Sequence, residues 1–154
     1  MKIETTRFGT IEIDPGQIVE FPEGLLGFEE YQRYVILEQP DRVFSFLQSV
    51  EAPWLSFVVM IPELLRSDYH VELEPQFVKE LGFENPEEGK VLVIVTVPED
   101  ITEMTANLQA PIAINLKTKL GKQIVLMEGS YKIRHNVLAE LQRNTYMATK
   151  AAAE

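Results

Sequence analysis

His70 and Glu72 stand two residues apart, so on a strand they share one face, as half a metal site or as an acid–base pair. A metal site needs three or four ligands. The only other histidine, His135, is remote in sequence and adjoins Arg134. A structural or surface role is expected for both. The chain has no cysteine, which excludes disulfides, thiolate metal sites and thiol nucleophiles. Ser45, Ser49, Ser56, Ser67 and Ser130 all lack the G-x-S-x-G context of a nucleophile elbow. Gly24-Leu25-Leu26-Gly27 lacks the Lys-Ser/Thr of a phosphate loop and reads as a turn. The 24 acidic residues are scattered and mostly Glu, with no obvious catalytic pair. No catalytic constellation emerges, and neither an enzyme, a cofactor nor a metal is expected.

Two segments carry chemistry of another kind. Phe44 to Val50 alternates Phe44, Phe46 and Gln48 against Ser45, Leu47 and Ser49, giving one aromatic face and one mixed face. Between Met104 and Asn115, the neutral amides Asn107, Gln109 and Asn115 sit amid apolar residues. Such amides either satisfy backbone groups in irregular turns or form a polar recognition strip. Pro111 cannot donate to a sheet ladder and belongs at an edge, a bulge or a strand start.

The elements that must position these residues are mostly strands. Residues 2–6 and 10–13 flank Arg7-Phe8-Gly9 as an opening hairpin, with Gly9 supplying a positive φ. Asp14-Pro15-Gly16 is a turn. Strands are expected at 18–21, 34–37, 44–50, 56–61, 91–97, 112–115 and 123–127, with Leu120-Gly121-Lys122 as the turn before the last. The apolar, β-branched 91–97 run suits a central strand. Pro75 opens a short helix that Gly82 ends, and Pro62 starts a single turn. From Asn136, a plausible N-cap, Val137, Leu138, Leu141 and Ala148 fall at helical spacing, and the final AAAE is expected to fray. A β-rich chain must close its sheet or cover its edges. The expected fold is mainly β: a small, partly open antiparallel barrel over residues 1–135, with short peripheral helices and a C-terminal helical tail over 136–154.

With 154 residues the chain is one domain. Its net charge of −10 argues against non-specific nucleic-acid binding and against docking on anionic membranes. No apolar run approaches the roughly 20 residues that span a bilayer. The N-terminus lacks a signal-peptide core, so a cytoplasmic location is expected. Charge is uneven along the chain: residues 1–114 carry 7 basic and 21 acidic side chains, residues 115–154 carry 7 and 3. The basic cluster Lys117, Lys119, Lys122, Lys132 and Arg134 is either a set of solvated strand faces or one pole of a surface that orients a charged partner.

The segments FGTIEID, IVEFPEGLLGFEEYQRYVIL, FSFLQSV, FVVMIP followed by DYHVEL, and TANLQAPIAINLKTKLGKQIVL occur in that order over roughly residues 1–134. In these the chain resembles the FliW family of flagellar assembly factors. The resemblance implies a non-enzymatic regulator that binds the RNA-binding translational repressor CsrA and so frees the flagellin message for translation. It also implies binding of flagellin itself, so that repressor and flagellin exchange on one protein. The candidate partner-binding residues are Phe46 and Gln48, with Asn107, Gln109, Asn115, Lys117 and Lys119 on the 104–120 segment. Glu20, Glu23, Glu29 and Glu30 form an alternative acidic surface. A free chain is expected to be a monomer. Two other readings stand beside this one. A barrel of this kind can hold a small molecule or a flavin at its mouth. A direct RNA binder would use Lys117 to Arg134 with Tyr131.

Overall fold

The computed structural model describes residues 1–40, 43–127 and 129–144. The short alternating segments become β1 (Lys2–Thr5), β2 (Gly9–Glu12), β3 (Val19–Glu20), β4 (Arg33–Glu38), β5 (Phe44–Ser49), β6 (Ser56–Met60), β7 (Gly89–Thr96), β8 (Thr105–Ala106), β9 (Ile112–Asn115), β10 (Leu120–Gln123) and β11 (His135–Asn136). A mainly β barrel with few short helices forms, as expected. Its ring runs β7-β6-β5-β4-β3-β10-β9 and is closed by the pairing of β9 back onto β7. Closure removes most free edges. All pairings are antiparallel except β3–β10, a parallel seam of one residue pair, Leu120 with Glu20.

Alternation along the strands divides residues between the barrel interior and its outer faces. Tyr34, Leu47, Val59, Leu92, Ile112 and Ile114 point inward and meet Phe21, Leu25, Ala52 and Leu55 from the connecting loops. Burial in this apolar interior pushes the Tyr34 hydroxyl up to about 12. The hairpin β1–β2 lies outside, where Ile3 and Ile13 cover Val35 of β4. A second outer cluster gathers Leu81, Ala113 and Ile124 under residues 71–73 and the short helix α1 (Pro75–Glu80). Gly82, at φ +72, ends that helix as its position suggests.

One boundary differs from the sequence reading. The turn before the last barrel strand is not Leu120-Gly121-Lys122, nor is the strand 123–127. The chain turns at residues 116–119, and β10 occupies Leu120–Gln123. The Asn115 carboxamide makes this turn by accepting from the Lys117 and Thr118 N–H groups (2.9 and 3.2 Å), and Lys119 takes φ +61. Gly121 is small for packing, not for turning: a Cβ there would run into the Phe21 ring.

Asn136 caps the C-terminal helix as expected, its Oδ1 accepting from the Ala139 N–H at 2.9 Å. The helix, α2, is described over residues 137–144. The rest of the tail, residues 145–154 with its terminal AAAE, lies outside the described residues. Among the described residues no helix is long and apolar enough to cross a membrane.

Candidate partner-binding site

The seven residues singled out from sequence fall in three places. Phe46 and Gln48 lie on the outer face of β5, beneath the hairpin. Phe46 is half-buried, its ring edge-on to Phe8 (centroids 5.2 Å apart) and under the Arg7 guanidinium at 4.7 Å. Gln48 is fully buried. Its Nε2 donates to the carbonyls of Ser49, Pro53 and Leu55 at 3.0, 3.3 and 3.3 Å. Its Oε1, and the Oγ of Ser56 directly across the ladder, have no hydrogen-bond partner among the described residues.

Asn107 and Gln109 occupy the bulge between β8 and β9, two strands that pair in turn with β7. Asn107 Oδ1 accepts from the Gln109 and Ala110 N–H groups, at 3.1 and 3.0 Å, so its side chain shapes the bulge. The Gln109 backbone is used on both sides: its N–H donates to the Lys132 carbonyl and its carbonyl accepts from Leu126. Asn115, Lys117 and Lys119 share the β9–β10 turn. Asn115 is fully buried and donates to the Leu81 carbonyl at 2.9 Å, tying the end of α1 to the turn. Lys119 is half-buried, and its carbonyl accepts from the Glu20 N–H at 2.9 Å. The carboxamides of Gln48, Asn107 and Asn115 thus serve backbone groups of the fold, the first of the two roles open to them.

Folding also brings the two charge poles of the sequence together. Lys117 reaches Glu84 (3.2 Å) and Glu88 (3.8 Å), and these carboxylates raise its pKa. Lys122 contacts Glu23 and lies 3.6 Å from Glu80. Burial pulls Lys122 down, but the two carboxylates outweigh it and its pKa rises. Lys117 and Lys122 of the basic pole are therefore paired with glutamates of the acidic stretch 1–114. Lys132 and Arg134 remain exposed, as do Ile133 (62 %) between them and Met127 (86 %).

Two features escaped the sequence reading. At one end of the barrel Trp54 and Leu26 are each 58 % exposed, and Trp54 stands edge-on to Tyr31, centroids 5.7 Å apart. The lone tryptophan in a turn-like sequence was the available signal. The second is a groove of about 520 Å³ on the outer face of β7 and β9, lined by Val71, Leu73, Val78, Phe83, Val91 and Ala113, with Glu72 and Glu84 at its rim. His70 and Glu72 both open onto this groove. Among the described residues no group of three or more His, Asp or Glu side chains could hold a metal ion.

Compared with known proteins, the profile of the FliW protein family matches residues 2–137. The flagellar assembly factor FliW of Alkaliphilus metalliredigens is 43 % identical over 145 residues, covering 93 % of this chain and 90 % of that protein. That of Ruminiclostridium cellulolyticum is 39 % identical, covering 93 % and 98 %. A crystal structure of the flagellar assembly factor FliW superposes with a TM-score of 0.83 at 38 % identity, covering 89 % of this chain and 96 % of that one.

Proposed function

The chain belongs to the FliW family, and from that premise we propose that it is a flagellar assembly factor working by protein–protein binding rather than catalysis. In this reading it acts in the cytoplasm as a monomer when free. It binds the translational repressor CsrA, relieves repression of flagellin translation, and also binds flagellin. The two partners then compete by mass action: accumulated flagellin occupies the factor, and its export releases the factor to act on the repressor.

The observation that carries this reading is the family match across residues 2–137, which spans the whole barrel. The physical properties of the chain support it. A net charge of −10 attracts a basic RNA-binding protein and speeds their encounter, while opposing binding of RNA itself. The groove over β7 and β9 offers apolar side chains within an acidic rim, a surface suited to a partner segment rather than to a reaction.

The test is co-purification of the tagged chain from its own cells, at low and then moderate salt. Recovery of the repressor and flagellin in separate complexes is the expected result. Recovery of neither, with an unrelated protein or a small molecule in their place, overturns the reading.

A further inference from the structure

We propose that the barrel end carrying Trp54 is the surface on which a positively charged protein docks, with the indole as its anchor. This rests on the protein-binding reading above and specifies where the basic repressor is held.

The topology gathers three loops at this end. Strands β3 to β7 are successive antiparallel neighbours, so the loops that follow β3, β5 and β7 leave from the same end of the barrel: residues 21–32, 50–55 and 97–104. Each raises large apolar side chains into solvent. To Leu26 and Trp54 the third loop adds Val97 and Ile101, which are 48 % and 64 % exposed. Continuing the β6–β7 register past Val58–Val95 sets Val97 level with Ser56, two residues from Trp54. On the other side Tyr31 stands edge-on to the indole. Exposed apolar residues that gather in one place mark an interaction surface, whereas scattered single ones are ordinary.

The loop under the indole is held in shape before any partner arrives. The buried Gln48 amide donates to the Pro53 and Leu55 carbonyls, on either side of Trp54, both at 3.3 Å. The buried Ser49 hydroxyl accepts from the Glu51 and Ala52 N–H groups at 3.1 and 2.9 Å. The Glu51 carboxylate ties this loop to its neighbour by accepting from the Gln32 and Arg33 N–H groups at 2.7 and 2.8 Å. Ala52 and Leu55 root the loop in the barrel interior, while the tryptophan between them points out. An anchor fixed in advance loses little freedom on binding, and tryptophan is among the side chains that most often dominate an interface.

Charge selects the occupant. The three loops carry seven acidic residues, all exposed, and no lysine or arginine. The backbone N–H groups of Gly27 and Gln32 hold the carboxyls of Glu29 and Glu51 below their usual range, and the Thr102 hydroxyl does the same for Asp100, so this end stays negative at neutral pH. Three cations border it: Lys122 contacts Glu23, Arg33 lies beside Glu51, and Arg7 of the hairpin stacks over the Phe46 ring. Lys90, Lys117 and Lys119 lie at the opposite end, at the start of β7 and in the β9–β10 turn. The acidic excess around an apolar centre favours a partner whose apolar depression is ringed by lysine or arginine, and rejects an acidic partner.

Trp54 is the lone tryptophan of the chain, so 5-fluorotryptophan places a single fluorine reporter in the full-length protein. Purified repressor is titrated in and followed by the fluorine resonance and by calorimetry. The expected result is a saturable change of that resonance, with affinity falling about fivefold or more from low to physiological salt. Trp54→Ala, at an exposed position, should weaken binding about thirtyfold and leave the denaturation curve unchanged, and Trp54→Phe should recover part of the loss. The double variant Glu30→Lys, Glu99→Lys, altered at exposed positions on two of the loops, should weaken binding about tenfold at low salt and less at high salt. If Trp54→Ala disturbs folding, the fluorine resonance and the charge variant decide. Equal affinity for wild type and either variant, or a resonance that does not move on binding, overturns the proposal while leaving the repressor as a partner held elsewhere. No binding by wild type removes the repressor from the reading above, and this surface loses its occupant with it.

Discussion

The hairpin β1–β2 and the segment from residue 70 to 88 both lie on the outside of one barrel, yet they cover it differently. The hairpin strands bond to each other over four residue pairs, and the turn is pinned by the Thr6 N–H to the Pro53 carbonyl at 2.9 Å. With its own backbone satisfied, the hairpin lays Ile3 and Ile13 flat on Val35, and all three are at most 5 % exposed. The other cover has a six-residue helix and an extended piece that makes no backbone–backbone hydrogen bond among the described residues. It buries Leu81, Ala113 and Ile124, but leaves Val71, Leu73 and Phe83 half-exposed around a groove. A cover that is paired within itself seals the sheet beneath it. One that is unpaired leaves both apolar surface and backbone for something else to complete.

The largest expected effect breaks the sealed side. Ile3→Ala should cost about 2–4 kcal/mol in chemical denaturation, because the buried site cannot refill. Leu73→Ala, on the half-open side, should cost less than about 1.5 kcal/mol, since solvent already reaches it. Equal losses would erase the difference between the two covers.

Next is Asn115→Ala, which attacks the anchor of the open cover. It leaves the Leu81 carbonyl without its amide donor and two turn N–H groups without their acceptor. A loss of about 1–3 kcal/mol is expected in the same measurement. Asn115→Asp keeps the acceptor and should retain more of the stability than the alanine.

A third cover, helix α2, sharpens the contrast because charge helps hold it. Glu140 accepts from the Arg66 guanidinium, with its second oxygen at 3.2 Å, and lies 3.5 Å from His135 Nδ1. The hydrogen bond from Arg66 holds the Glu140 carboxyl below its usual range, against the opposing effect of burial. A depressed folded pKa means this stabilisation is present above the unfolded value of about 4.3 and is lost as pH falls through the lower folded value. Amide exchange in residues 137–144 should therefore accelerate on acidification through that window, relative to the hairpin strands. Arg66→Gln should flatten the dependence, and an unchanged profile in that variant would assign the effect elsewhere.

The smallest effect is expected at Lys117. Its contacts with Glu84 and Glu88 are on an exposed side chain, where solvent screens them, and Lys117→Ala should leave the chemical denaturation curve nearly unchanged. A larger loss would make the β9–β10 turn depend on charge rather than on the Asn115 carboxamide.

Much of the architecture was legible because it is written in local pattern. Alternation marked β5, a continuous apolar β-branched run marked β7, Gly9 and Gly82 marked chain turns through their positive φ, and Asn136 marked a helix start. The β10 boundary was not legible. Gly121 looks like a turn residue, and the reason for its size is a ring contributed from Phe21, a hundred positions away. The candidate site was legible only as residue types. Gln48 and Asn115 stand out in sequence as misplaced amides, but whether they face a partner or a carbonyl of their own chain depends on what lies over them.

The sequence by itself determined that this chain is an acidic β-barrel without cysteine chemistry, since composition and two-residue alternation act within a strand. Only the tertiary structure decided which outer face is sealed and which is open. That depends on where distant segments come to rest: the hairpin over Gln48, α1 against Asn115, Glu23, Glu80, Glu84 and Glu88 beside Lys117 and Lys122. Burial and charge pairing are properties of neighbours in space, and a linear pattern specifies a residue's own face but not what covers it.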